Sequence, residues 1–275
     1  MAYALEDEFG DILGKARRGQ DLSHSQIAEA TGITAAQLAR MEQYTLKPTE
    51  AQVYKLAAVL NLDGTKLLDI AMERWAPKPM QLPENANLDV ITISAPVGGW
   101  PVNAYLLICK ATDDAAIIDT AAHPERILEQ LAHHKVNPTA ILLTHAHSDH
   151  ADGLPQLQSA TGCKTYIHKN EPKPRSATQL RELVHADVVA VGELMVTVVD
   201  TPGHTPGGCS FLTQTAAFVG DAIFAGSVGG PNISYQAEID SVRKNLLSLP
   251  EEVRLFPGHG PASTVGEEKL HNPFF

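Results

Sequence analysis

Ala140-Ile141-Leu142-Leu143-Thr144-His145-Ala146-His147-Ser148-Asp149-His150 is the stretch whose reading decides the fold. An apolar run stops abruptly at three histidines and an aspartate. A buried strand that ends in a polar loop delivers such side chains to the edge of a sheet, where sites in α/β proteins sit. Imidazole nitrogen combined with carboxylate oxygen suits zinc or iron. Donors packed this closely can face two adjacent metal positions.

The same logic finds further donors: a lone His or Asp in a Gly/Pro-rich turn just after a strand. His204 lies in Thr201-Pro202-Gly203-His204-Thr205-Pro206-Gly207-Gly208, Asp221 in Val219-Gly220-Asp221-Ala222, and His259 in Phe256-Pro257-Gly258-His259-Gly260. Glycines beside each let backbone approach a crowded site. Short β-branched runs (90–93, 105–108, 116–118, 140–143, 196–199) alternate with helical segments at Pro124 to His134 and Gln236 to Leu247. That alternation predicts an α/β domain.

The chain upstream differs. Residues 1–75 are rich in Ala, Gln and Leu with helical periodicity, and the proline-rich stretch from Trp75 to Asn85 separates them from the strands. The expected division is 1–75, a linker at 76–87, and 88–275. Ser23-x-x-Gln26, Thr34-x-x-Gln37 and Thr49-x-x-Gln52 each fit a capping box, in which hydroxyl and amide satisfy orphan backbone N–H groups reciprocally. Gly32 sits where one helix must end in a left-handed residue before the next begins. Flanking helices are expected at about 6–18, 49–60 and 63–74.

The order H-x-H-x-D-H, H, D, H resembles the metallo-β-lactamase superfamily from about residue 88 to the C-terminus, and 220–229 with Asn272-Pro273-Phe274 resembles its glyoxalase II-like hydrolases. The resemblance implies an αββα sandwich with metals at one edge. His145, His147 and His204 would hold the first divalent ion; Asp149, His150 and His259 the second; Asp221 would bridge them. Zinc is the expected metal, with iron or manganese as alternatives. Asn103 matches a position that supports the metals from behind. The implied chemistry is attack by a metal-bridging hydroxide, oriented by Asp149, on a small thioester or ester. Glutathione thioesters are not the expected substrate. Glyoxalase II carries a basic residue where this chain reads Gly229-Gly230-Pro231, and a glutathione-binding helical region where 16 residues follow His259 here.

Residues 9–70 resemble Cro/repressor-like (XRE-type) helix-turn-helix domains through Leu22-Ser23, Ile27-Ala28, Thr31-Gly32-Ile33, Leu38, Glu42, Pro48 and the run from Leu56 to Leu60. The resemblance implies a partner, double-stranded DNA, read by Thr34, Ala36, Gln37 and Arg40 on helix 34–43, and a homodimer. Two features depart from it. His24 stands where the family commonly has a phosphate-gripping Gln, and residues 1–75 carry 8 Lys+Arg against 11 Asp+Glu.

Two alternatives remain at this level: a metabolite-sensing transcription regulator, and a mononuclear iron persulfide dioxygenase, against which the seven-donor set argues. The net charge of -11, and 12 Lys+Arg against 20 Asp+Glu over 88–275, disfavour polyanionic substrates. The acidic stretch from Met1 to Glu8 predicts no secretory signal. The widely spaced Cys109, Cys163 and Cys209 predict reduced thiols. With no apolar run long enough to span a bilayer, a cytoplasmic protein without a membrane partner is expected. His133 and His134 are expected in solvent, His168, His185 and His271 at the surface or in local caps, His123 at a helix entry and Cys209 in packing.

Overall fold

The computed structural model describes residues 5–79, 82–120, 123–174 and 177–275. Met80 and Gln81 of the expected linker, and Met1 to Ala4 of the N-terminus, lie outside them. Five helices come first: α1 (Phe9–Gly19), α2 (His24–Thr31), α3 (Ala35–Glu42), α4 (Glu50–Val59) and α5 (Gly64–Ala71). All three expected capping boxes form, at Ser23, Thr34 and Thr49, and Gly32 ends α2 at φ +74°. The first and last helices are shorter than expected. Glu8 is the N-cap of α1, so residues 6–8 are not helical, and α5 stops at Met72. Phe9, Ile12, Leu13 and Ala16 form the buried stripe of α1, at the spacing of one helical face.

Two six-stranded sheets follow. The first contains β1 (Leu88–Val97), β2 (Trp100–Cys109), β3 (Asp114–Ile118), β4 (Asn137–Leu143), β5 (Lys164–His168) and β6 (Leu180–Leu183), in that spatial order. Its connections hold α6 (Pro124–His134), α7 (Ser148–Ala151) and α8 (Leu154–Thr161). The second runs β14-β13-β10-β9-β8-β7, built from β7 (Val188–Val191), β8 (Leu194–Asp200), β9 (Cys209–Leu212), β10 (Ala216–Gly220), β13 (Arg254–Pro257) and β14 (Ser263–Thr264). A small hairpin, β11 (Ile223–Phe224) with β12 (Ser227–Val228), and the helices α9 (Tyr235–Asn245) and α10 (Val265–His271) complete the chain.

The strand period of two explains the layering. Tyr105, Leu107, Ala116, Ile118, Ala140 and Leu142 point between the sheets, meeting Val196, Val198, Phe211 and Phe218. The alternate residues Leu106, Ile108, Ile117, Ile141 and Leu143 meet Ile127 and Leu131 of α6 and Leu154 and Leu157 of α8. On the other outer face, Ala217 and Val219 meet Val242 and Leu246 of α9 and its C-cap. The result is an αββα sandwich.

The helical region does not stand apart from it. Val228, Ile239 and Phe274 belong to the same apolar cluster as Ile12, Leu13, Leu38 and Leu56. The Asp63 N–H donates to the Pro273 carbonyl at 2.8 Å. Residues 75–79 have no helix or strand, yet they are docked: Trp75 stacks on His271 and Pro77 is buried.

One expectation needs correction and another is narrowed. The polar turn after β4 is a loop only to His147; Ser148–Ala151 is a short helix whose N-cap is His147. His168 is not at the surface but acts in a local cap: buried at the end of β5, its Nδ1 accepts from Asn170 N–H at 3.4 Å and its Nε2 lies 3.4 Å from Asp200 at the end of β8.

Candidate metal centre

Four chain segments leave the strand ends on one edge of the sandwich. β4 delivers His145 and His147, with Asp149 and His150 on α7; β8 leads to His204, β10 to Asp221 and β13 to His259. Parallel pairing of β10 with β13 puts Gly220 opposite Pro257, so Asp221 and the His259 turn emerge side by side. Glycine is required here: a Cβ at Gly258 would sit 2.2 Å from Asp221 Oδ1 and 2.6 Å from the His150 ring. The sheets are also tied together at this edge. Cys209 N–H donates to the Thr144 carbonyl at 3.0 Å, and Asn103 N–H to the Gly258 carbonyl at 2.8 Å.

All seven expected side chains meet. His145, His147 and His204 form one group of donor atoms, Asp149, His150 and His259 another, and His145, His150 and Asp221 a third, each within 4.8 Å. Asp221 stands between the first two. Its Oδ1 is 3.3 Å from His150 Nε2, and its Oδ2 is 3.5 Å from both His204 Nε2 and His259 Nε2. His145, His150, His204 and Asp221 are buried, while Asp149 and His259 are half-buried.

Hydrogen bonds outside the cluster set four of the imidazole tautomers. Asp119 accepts from Thr144 N–H at 2.8 Å and from the Thr144 hydroxyl at 2.7 Å. With its one proton given to Asp119, the Thr144 oxygen accepts from His145 Nδ1 at 3.1 Å. Asp119 also holds His150 Nδ1 at 2.9 Å; His204 Nδ1 donates to the Gly230 carbonyl at 2.7 Å, and His259 Nδ1 to the Pro101 carbonyl at 2.9 Å. Each thereby turns an unprotonated Nε2 toward the middle in the neutral state. His147 adds Nδ1, which lies 3.1 Å from His145 Nε2 and 3.0 Å from His204 Nε2. Three nitrogens converge with at most one proton among them, the donor set a cation requires. His150 Nε2 and Asp221 Oδ1 are likewise buried without a hydrogen-bond partner.

The electrostatics agree. Burial, reinforced by the charge of His150, drives the His145 imidazole well below its ordinary pKa. Burial alone would raise the Asp221 carboxyl, but His150, His259 and His145 hold it well below the carboxylate range. Burial would lower His259, yet bonding to Asp149 and Asp221 pushes it up to about 11.

Asn103 lies behind this edge: its amide donates to the carbonyls of Pro257 at 3.2 Å and Gly260 at 2.9 Å, holding the His259 turn. His123 stays out of the cluster, at the N-cap of α6, beside the Pro96 carbonyl. Two supporting acids are absent from the sequence reading. Asp119 follows β3 as Asp221 follows β10, so the strand-then-acid rule could have found it. Glu171 has no such signal; its buried carboxylate accepts from Ala146 N–H and Gly207 N–H, both at 2.8 Å, joining the His145–His147 loop to the His204 loop.

The expected DNA-reading residues lie on one helix. Thr34, Ala36 and Arg40 are exposed and Gln37 is half-buried. Thr34 and Gln37 are engaged with each other in the capping box, and Arg40 donates to the Thr45 carbonyl at 3.1 Å. His24 is turned toward Glu42, 3.0 Å away, which also pairs with Arg17.

Residues 97–259 match the family model of the metallo-beta-lactamase superfamily. The chain belongs to that superfamily. Residues 13–67 match a helix-turn-helix family model. A probable metallo-hydrolase of Bacillus subtilis, YqgX, is 30% identical over 201 residues, covering 65% of this chain and 94% of that protein. The hydroxyacylglutathione hydrolase GloC of Haemophilus influenzae is 28% identical, covering 63% and 95%. Among solved structures, the di-iron-bound form of TTHA1623 superposes with a TM-score of 0.57 at 31% identity, covering 66% of this chain and all of that one. Superfamily membership and the His/Asp cluster support a metal-dependent hydrolase. No helix among the described residues is long and apolar enough to cross a membrane.

Proposed function

We propose that this chain is a dinuclear metal-dependent hydrolase acting on a thioester or ester of a small metabolite. Its parts would be a helix-turn-helix unit at 1–75, a connection at 76–87 and a hydrolase unit at 88–275. The observation that carries the proposal is the convergence of seven donors with two buried, unpartnered atoms, His150 Nε2 and Asp221 Oδ1, among them. His145, His147 and His204 would hold one ion, Asp149, His150 and His259 the other, and Asp221 would serve both, with zinc as the metal. Such ions supply Lewis acidity, polarising an acyl oxygen and lowering the pKa of water.

The chain's own residues do the rest. Asp119, the Gly230 carbonyl and the Pro101 carbonyl hold the rings of His150, His204 and His259 in one orientation, so little reorganisation accompanies charge development. Asp149 Oδ2 lies 3.5 Å from His259 Nε2, and its carboxylate is partly open to solvent. It is placed to orient an attacking water and take its proton. Three overlapping donor groups, rather than one, disfavour the single-iron dioxygenase. The thioester preference draws on the likeness to GloC.

The helix-turn-helix unit would bind double-stranded DNA, as a homodimer in the cytoplasm, through Thr34, Ala36, Gln37 and Arg40. The deciding experiment is metal analysis of the purified chain, with hydrolysis assays on acyl-thioester, ester, lactone and phosphodiester substrates. About two zinc ions per chain with thioester turnover are expected. One iron per chain with oxygen uptake on a persulfide would replace the hydrolase by the dioxygenase. A gel-shift screen at low salt tests the DNA partner, and light scattering tests the dimer.

A further inference from the structure

Among the described residues, the N-terminal helical unit meets the metal centre at the His259 turn and at the hairpin that follows Asp221. Gly260, directly after His259, has φ +72° and lies against Glu6: a Cβ there would come within 2.8 Å of Glu6 Cβ and 3.1 Å of Glu6 N. Glu6 Oε1 is 4.0 Å from His259 Nδ1. From α1, Lys15 reaches the hairpin that follows Asp221. Its ammonium donates to the Val228 carbonyl at 2.7 Å and pairs with Asp7, both partners nearly buried. The same ammonium sits 4.7 Å above the ring of Phe224, and that ring meets His259 edge-on at 5.6 Å. Val228 joins the apolar cluster of Phe9, Ile12 and Leu13. By contrast, His145 Nδ1 donates to the Thr144 hydroxyl inside the sandwich, and His204 Nδ1 donates to the Gly230 carbonyl, partly exposed just beyond the hairpin.

We infer that the helix-turn-helix unit is a wall of the metal centre, in which Glu6 and Lys15 are positioning residues for the Asp149–His150–His259 side. The inference rests on the metal-site proposal above and adds an asymmetry to it. A buried ion pair, a charge-assisted bond and a cation–π contact are directional, so they fix where Phe224 and the 258–260 turn stand. Among the described residues, the other anchors of this turn are the Pro101 carbonyl, the Asn103 amide, the Tyr105 hydroxyl donating to the Pro257 carbonyl, and the Gly220 carbonyl accepting from Gly258 N–H. Removing the wall should loosen one donor group and spare the other.

The test uses the full metal-free chain, titrated with Zn²⁺ against a chromogenic chelator. Wild type is compared with Glu6→Ala, Lys15→Met and Lys15→Arg, and with Lys47→Ala, which breaks only the exposed Lys47–Glu73 pair. Glu6→Ala and Lys15→Met should weaken the second Zn²⁺ roughly tenfold, the usual scale for groups behind a ligand. The first Zn²⁺ should stay within about twofold of wild type, Lys15→Arg should restore part of the loss, and Lys47→Ala should match wild type. Hydrogen exchange on the metal-free chain reads the wall without any metal: residues 254–262 should exchange faster in both variants, and 140–147 should not. Unchanged exchange in both variants overturns the wall whatever the Zn²⁺ result. Equal weakening of both ions, with faster exchange throughout, also overturns it, since that marks general destabilisation. A wild type that takes up no Zn²⁺ sinks the metal-site proposal, while the exchange result still decides the wall.

Discussion

The two helices α3 and α7 start alike and use their first polar residue differently. Thr34 and His147 are both N-caps with extended backbone, at φ -64° and -63°. The Thr34 hydroxyl accepts from Gln37 N–H and Gln37 answers it, so the cap serves the helix. His147 makes no such bond; its Nδ1 faces His145 and His204 instead. The helix it begins is four residues long and is held from outside, with the Thr120 hydroxyl donating to the His150 carbonyl at 2.8 Å. Where a polar side chain is released from local capping, tertiary contacts must stabilise the backbone in its place. The metal side is therefore locally weak and held by remote contacts, whereas the helix-turn-helix side is locally capped and also packs on the sandwich through Val228, Ile239 and Phe274.

The sharpest way to break this contrast is Asp221→Ala. It removes the carboxylate shared by His150, His204 and His259, and leaves charge unpaired in the interior. Metal content should fall from two ions to fewer than one, and the metal-free fold should lose roughly 3–5 kcal/mol, read by metal analysis and denaturant melts. Next comes Glu171→Ala, which strips a charged acceptor from two backbone N–H groups; about 3 kcal/mol should be lost. A stability equal to wild type would show that the two loops do not need their bridge.

Asp119→Ala should lower metal affinity roughly 10–100-fold with a smaller effect on melting, because the rings of His145 and His150 lose the group that orients them. The pH dependence follows from His259. Its pKa in the folded chain is raised to about 11, so its protonated form stabilises the metal-free protein fully below the unfolded value of about 6.5. That stability is lost as pH climbs through 11. Metal must displace the same proton, so affinity on this side should rise about tenfold per pH unit below 11; a flat profile would mean that His259 is neutral before the metal arrives. The smallest effect is Thr34→Ala, costing about 1 kcal/mol of helix-turn-helix stability and leaving both metal positions unchanged.

Features governed by near neighbours could be read from the chain. The capping boxes, the left-handed Gly32 and the run from His145 to His150 each span a few residues, so spacing alone specifies the geometry. The short β-branched apolar runs in β2, β3 and β4 showed strands, because such side chains suit a pleated backbone buried on both faces. The strand-then-turn rule also reached His204, Asp221 and His259, whose glycines mark crowded backbone. Asp119 carried the same strand-then-acid signal as Asp221, but the partners of the bracing groups are remote and could not be read. Asp119 meets Thr144, Glu171 meets Gly207, and Glu6 meets the Gly260 turn across nearly the whole chain. No periodicity encodes such encounters. They come into being only when two sheets close on a shared core and bring the strand ends to one edge. Spacing along the chain thus decides which atoms can bind a metal; packing of distant segments decides which way those atoms point and what holds them there.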